Sequence, residues 1–268
     1  MEELIPCSII EFNNNQLMTV RQCFGYDDLN KLKQDIDQFQ DWIRKQPHFR
    51  RKDFDRDFLE RYLIYSKGSI ERAKQRFDKL CTFTSLMPEF LQNYDIRNEF
   101  TPLFNICYTC MLPKPSSDNY RVVISTLTGI DDNKFELVSY YRYLIVEALG
   151  QRMKKIHLIS GSKFFDTILL VMKQALSAKL AQRLVVHHSV ESLYDHIPKE
   201  HLPKDLGGDE RSMKELTEMD FKEVSTDKHI AIVKSMENAS TDESCRQSCK
   251  FNEEYLGMPG SFKTLCVD

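Results

Sequence analysis

Apolar side chains between residues 28 and 88 recur at helical steps, whereas from residue 121 onward they gather into short β-branched runs. This change of period restricts the fold more than any other feature of the chain. Leu29, Leu32, Ile36, Phe39 and Ile43 follow steps of 3 and 4 behind Asp27 and Asp28, which suit a helix start, so the spacing predicts a helix over 28–45 that Pro47 ends. Phe58, Leu59, Tyr62 and Leu63 predict a second, short helix. Ile70, Ala73, Phe77 and Leu80 predict a third, with Ser69 as its N-cap and Lys67-Gly68 as the turn before it. Residues 1–92 therefore read as a small helical domain.

An irregular stretch over 93–119 follows, carrying Pro102, Pro113 and Pro115. The run from Arg121 to Leu127 then has the character of a strand buried on both faces. Phe135, Val138, Tyr141, Ile145 and Leu149 predict a helix, Ile156 to Ile159 a strand, the apolar stretch 164–184 one or two helices, and Leu184 to His187 another strand. Alternation of this kind implies parallel pairing through right-handed crossovers, so residues 93–210 read as an α/β sheet domain with flanking helices. Residues 209–243 carry ten acidic and five basic side chains with little apolar periodicity. Within a C-terminal extension over 211–268, they predict a helix or two followed by a loose tail.

With 37 basic and 40 acidic side chains and a net charge of -3, the chain lacks the basic balance of a general nucleic-acid binder. No run approaches the ~18 apolar residues of a membrane-spanning helix. The start, Met1-Glu2-Glu3-Leu4-Ile5-Pro6, has no basic and apolar leader, so a cytoplasmic protein is expected. In that setting the eight cysteines are expected as reduced, mostly buried thiols. Cys107 and Cys110 form a CxxC, yet Pro113 and Pro115 interrupt the helix that a redox pair would need. His187, His188, Cys245 and Cys249 fit no standard zinc spacing, and no metal or cofactor is expected.

Nucleophile-elbow, dinucleotide, P-loop and HExxH patterns are all missing, so no catalytic residue is assigned and the chain is not read as an enzyme. His157, inside an apolar strand, is expected to be a hydrogen-bonded structural histidine. His187 and His188 end a strand, a position that can host ligands in open α/β sheets, but no acid or nucleophile pairs with them in the sequence.

A specific resemblance emerges from the order of several short motifs. Asp57 to Leu63, Lys67-Gly68 and Ile70 to Ala73 are followed by Ile156-His157-Leu158-Ile159, Phe164-Phe165, Lys173, Lys179-Leu180, Arg183, Ser192-Leu193 and the run Leu202 to Gly208. In order and spacing the chain resembles the CRAL-TRIO lipid-binding family, in its α-tocopherol transfer protein-like and retinaldehyde-binding protein-like branches. The resemblance covers most of the chain from about residue 28 and implies a carrier that encloses one small hydrophobic ligand behind a helical gate and releases it at membranes. It places the gate and pocket at Phe164, Phe165, Ile168, Leu169, Met172, Leu176 and Leu180. A plain core helix fits the same apolarity.

The resemblance also assigns phosphatidylinositol bisphosphate binding to Arg152, Lys179 and Arg183. Residues 150–188 hold seven Lys or Arg against the single acidic Asp166, a local charge of +6. Lys179 and Arg183 stand four apart, as neighbours on one helix face would. A solvated face is the alternative reading of such a cluster. The family's basic position after the Arg61 helix falls here on Ser66, beside Lys67.

Two departures bear on the cargo. Family members place a strand and a helix between the segments matching 135–149 and 152–159, whereas here Gly150 joins the two directly. About forty residues of the pattern are thus missing, a loss that would leave backbone groups and apolar surface seeking partners. Lys173-Gln174-Ala175 also lacks the Pro-Phe that usually follows the Lys. The expectation is a CRAL-TRIO fold short of one strand and one helix, acting as a peripheral membrane carrier. The alternative is a regulatory or protein-interaction module that no longer carries cargo.

Overall fold

A computed structural model describes residues 9–12, 15–92, 95–105, 107–116, 118, 120–127, 154–160, 170, 173–174 and 178–246. The predicted helix over 135–149 and most of the stretch 161–177 lie outside the described residues.

The helical domain forms as its apolar spacing predicts. Helix α2 (Leu29–Lys45) starts where the Asp28 side chain accepts a hydrogen bond from the Asn30 N–H, and it buries Leu32, Ile36, Phe39 and Ile43. Helix α3 (Arg56–Tyr65) buries Leu59, Tyr62 and Leu63, and helix α4 (Ile70–Leu86) starts at Ser69, whose Oγ accepts from the Arg72 N–H. Gly68 makes the turn between them at φ +68°, with the Phe24 carbonyl so close that a β-carbon at this position would clash with it. Phe77 stands at the centre of the core, with Phe49, Phe54, Tyr62 and Phe39 ring centroids 5.1, 5.0, 5.7 and 5.8 Å away, all packed edge-on.

A further helix, α1 (Gln16–Cys23), precedes α2 and was not evident from apolar periodicity. It is held by charge instead. Arg21 donates to both carboxylate oxygens of Glu60 on α3, at 2.9 and 3.1 Å, and both side chains are buried. Short helices α5 (Pro88–Leu91) and α6 (Ile96–Glu99) lead into the sheet half.

In the sheet half the strands form two separate pairs among the described residues. Strand β1 (Cys107–Met111) runs antiparallel to β2 (Val123–Leu127), with Cys107 opposite Leu127 and Met111 opposite Val123. The stretch 93–119 is therefore not wholly irregular, and the 121–127 run is a hairpin strand rather than a parallel one. Pro113 and Pro115 lie in the connection between β1 and β2, which is closed by bonds from the Leu112 N–H to the Val122 carbonyl and from the Ser116 N–H to the Tyr120 carbonyl. Strands β3 (Ile156–Ile159) and β4 (Leu184–His187) pair in parallel as expected, with Ile156 opposite Leu184 and Ile159 opposite His187. A short helix, α7 (Ala178–Ala181), precedes β4.

Helix α8 (Met213–Val224) begins with a capping box, in which the Ser212 side chain accepts from the Glu215 N–H while Glu215 accepts from the Ser212 N–H. The Asp220 carboxylate on α8 accepts from the Met111 N–H at 2.6 Å and so fixes the helix against β1. Met213 and Leu216 from α8, Cys110 from β1, and Leu112, Leu193 and Leu202 form the core of this half. Helix α9 (Asp227–Glu237) follows. Beyond it, the expected loose tail is an ordered strap over 238–246. The Arg50 N–H donates to the Ser240 carbonyl, the Asp242 N–H to the His48 carbonyl, and Arg246 donates to Asp78, Glu243 and Thr82. The acidic composition of the segment hid this, because the strap is held by hydrogen bonds rather than by a periodic apolar face.

Candidate functional site

The β3–β4 pair organises the residues that the sequence singled out. At its entry end stand Lys154 and Lys155, both exposed, and Arg183, which is half-buried. The Ile156 N–H donates to the Arg183 carbonyl at 2.9 Å, so these basic residues enter the sheet side by side. Lys154 Nζ stands 5.2 Å from the Tyr120 ring centroid, a cation–π contact that ties this end to the β1–β2 hairpin. Lys179 and Leu180 lie on α7, one turn before Arg183. Arg152 lies outside the described residues, as do the gate positions Phe164, Phe165, Ile168, Leu169, Met172 and Leu176. Between those positions, residues 170, 173 and 174 are helical, and Leu170, not among the gate residues drawn from the sequence, is 62% exposed.

The exit end of the pair is a cluster of histidines. His157 on β3 and His187 on β4 project from the same side of the sheet, and His157 Nδ1 lies 2.8 Å from His187 Nε2. His196, on the turn after Ser192, brings its ring centroid to 4.8 Å from that of His157 and 5.6 Å from that of His187. Burial, reinforced by the neighbouring imidazoles, pulls His157 down to about 4 and holds His187 below the ordinary histidine value. The expectation that His157 is a hydrogen-bonded histidine is met. No spacing rule could show its convergence with His196, 39 residues away, because the register of β3 on β4 decides it.

The loop beyond β4 is held by Gly207-Gly208. Gly207 sits at φ +71°, where a β-carbon would press on the Tyr194 hydroxyl, and a β-carbon on Gly208 would collide with the Leu202 and Lys199 carbonyls. That closeness lets the Tyr194 hydroxyl donate to the Leu206 carbonyl and the Asp205 carboxylate accept from the Met213 N–H, docking the loop on the start of α8. The motif is therefore a structural clasp. On β1, Cys107 and Cys110 fall three residues apart and so face opposite sides of the strand. Burial pushes the Cys110 thiol up to about 12, the opposite of the lowered thiol of a redox pair.

A helical cap followed by an α/β half defines a two-part class of fold. Comparison with known proteins gives that class a name. A Pinta-like, UBA domain matches residues 28–101, and a divergent CRAL/TRIO domain matches residues 89–214. Residues 89–214 are thus similar to the CRAL/TRIO family. Among curated relatives, the alpha-tocopherol transfer protein-like protein of Mus musculus is 24% identical over 220 residues, a match that takes in 65% of this chain and 64% of the relative's own length. Since 65% of 268 residues is about 174, roughly 46 of those 220 aligned positions have no residue in this chain. No helix of the described residues is long and apolar enough to cross a membrane.

Proposed function

We propose that this protein binds one small hydrophobic molecule of the tocopherol or retinoid kind, without transforming it, and exchanges it at membranes that carry phosphatidylinositol bisphosphates. The match to the CRAL/TRIO domain over residues 89–214 carries this reading. In it, Phe164, Phe165, Ile168, Leu169, Met172, Leu176 and Leu180 line the pocket and gate, and the exposed Leu170 supports a helix that offers an apolar face outward. Arg152, Lys179 and Arg183 hold the inositol phosphates. The basic entry end of the β3–β4 pair supports that assignment, because Lys154 and Lys155 add two exposed cations there.

Sedimentation with liposomes containing phosphatidylinositol bisphosphate tests the membrane step. Each basic residue near an anionic surface is worth about 1 kcal/mol, so Lys179→Glu with Arg183→Glu should weaken binding by more than about tenfold, and rising salt should weaken the wild type. A double variant that sediments like wild type would remove the head-group assignment. The shortened alignment favours one second reading, in which the domain keeps its basic surface but has lost its cargo. Organic extraction of the purified protein followed by mass spectrometry separates the two, since a carrier yields stoichiometric lipid and a cargo-free module yields none.

A further inference from the structure

The histidine cluster at the exit end of β3 and β4 has a hydrogen-bond order that can be worked out atom by atom. Ser192 has one hydroxyl hydrogen, and it is donated to the Ser189 carbonyl at 2.9 Å. Ser192 Oγ also lies 2.7 Å from His187 Nδ1, so in this contact the oxygen accepts and the imidazole donates. His187 is thereby held as the Nδ1–H tautomer, with the lone pair of Nε2 pointing along the sheet to His157 Nδ1, 2.8 Å away. A relay from backbone carbonyl to serine to histidine, leaving the far nitrogen bare, is the outer-shell arrangement that orients metal-binding histidines.

Three further observations point the same way. The His157, His187 and His196 rings can each offer one nitrogen such that all three lie within 4.8 Å of one another. The site opens onto a recess of about 410 Å³ lined by His187, His188, Ser189, Ser192, Asp195 and His196, which gives an ion a route in and a free side. The carboxylate of Asp195 lines the same recess and supplies a negative charge beside the histidines.

We propose that His157, His187 and His196 form a binding site for a divalent transition-metal cation of the zinc class, with the fourth position open to water or to Asp195. In the metal-free protein the His157 Nδ1–H donates to His187 Nε2. On binding, that proton leaves Nδ1 for solvent while Nε2 of the same ring takes one up, so His157 stays neutral and no proton is lost overall. Nδ1 of His157 and Nε2 of His187 then share the ion. Bonds of about 2.0–2.1 Å at tetrahedral angles need nitrogens ~3.3 Å apart, so the pair opens by roughly half an ångström. His196, exposed on its turn, closes onto the third position. Three imidazoles suit zinc, copper or nickel and do not suit calcium or magnesium.

The full chain, stripped with chelator and retitrated with Co²⁺ and then Zn²⁺, provides the test. One equivalent of Co²⁺ should bind with the strong visible absorption of a tetrahedral site and without a near-ultraviolet thiolate band, and Zn²⁺ should displace it. His196→Gln changes an exposed residue, and Ser192→Ala removes only the orienting hydroxyl. Each should weaken binding by about 10- to 100-fold. The proposal is overturned if the wild type takes up no Co²⁺, if a thiolate band shows cysteine ligation, or if His196→Gln binds as the wild type does. Liposome and lipid-extraction results are separate readouts, so failure here leaves the lipid-carrier reading standing.

Discussion

The helical domain and the β3–β4 pair are both built from apolar residues in regular order, yet they reach different degrees of burial. Phe39, Ile43, Leu63, Ala73 and Phe77 have no exposed surface at all. By contrast Ile156, Leu158, Leu184, Val185 and Val186 are half-buried, and Ile159 is exposed. Parallel strands are ordinarily covered on both faces, because crossover helices pack on each side of the sheet. The helical domain closes its core with contacts between neighbouring helices, whereas a parallel pair depends on chain that crosses over from elsewhere. Loss of chain that crosses over the pair therefore weakens the sheet half and leaves the helical half intact.

Two substitutions should separate the halves most strongly. Phe77→Ala empties the centre of a five-ring cluster and should cost about 3–5 kcal/mol in chemical denaturation. Leu158→Ala, on a half-buried strand residue, should cost well under half of that, since less surface leaves water there on folding. Equal losses would contradict the contrast drawn between the two halves.

The second expectation concerns what the half-buried strands do in solution. A sheet half with uncovered apolar surface should bind a dye such as ANS in native buffer and melt before the helical domain, giving two transitions rather than one. A single sharp transition with no dye binding would mean that the sheet half closes its own core despite the shorter chain.

The parts that were legible in the sequence share a physical basis. Helices α2, α3 and α4 were read from apolar steps and caps, because local periodicity alone determines which face of a helix is buried. Strands β3 and β4 and their parallel pairing followed from β-branched runs separated by crossover-length segments. Three features were not legible, and each depends on long-range partners. Helix α1 rests on the Arg21–Glu60 pair, 39 residues apart in sequence. Strand β1 alternates poorly, and only pairing with β2 shows it. The strap depends on Arg246 reaching Asp78, 168 residues away. The histidine site belongs to this second group, since the register of β3 on β4 and a turn beyond β4 assemble it.

The strap provides a smaller and more local probe of the helical half. Arg246 is almost fully buried, and its two NH groups bridge Asp78, Glu243 and Thr82. Arg246→Met keeps the stem and removes the donors, so it should cost about 2 kcal/mol, in line with hydrogen bonds to charged groups. Hydrogen exchange at the Arg50 and Asp242 amides, which bond across the strap, should rise with it while exchange in β3 and β4 does not.

The smallest effect should come from acid, and its sign follows from Asp78. Burial alone would favour the neutral acid, but hydrogen bonds from His48 and Arg246 outweigh it and hold the Asp78 carboxyl below its ordinary value of 3.8. A carboxyl depressed in the folded state adds stability that is fully present above its unfolded value and is lost as pH falls through the folded one. Denaturation curves collected from pH 6 down to pH 3 should therefore show the wild type losing part of its margin over Asp78→Asn once the pH drops below about 4. Above that range the margin should be constant. If the margin instead shrinks between pH 6 and 5, Asp78 is not the group responsible, and the strap is not held by an ionised carboxylate at all. If it persists unchanged to pH 3, the Arg246 contact does not depend on charge, and the strap is attached to the helical domain chiefly through the backbone bonds at Arg50 and Asp242.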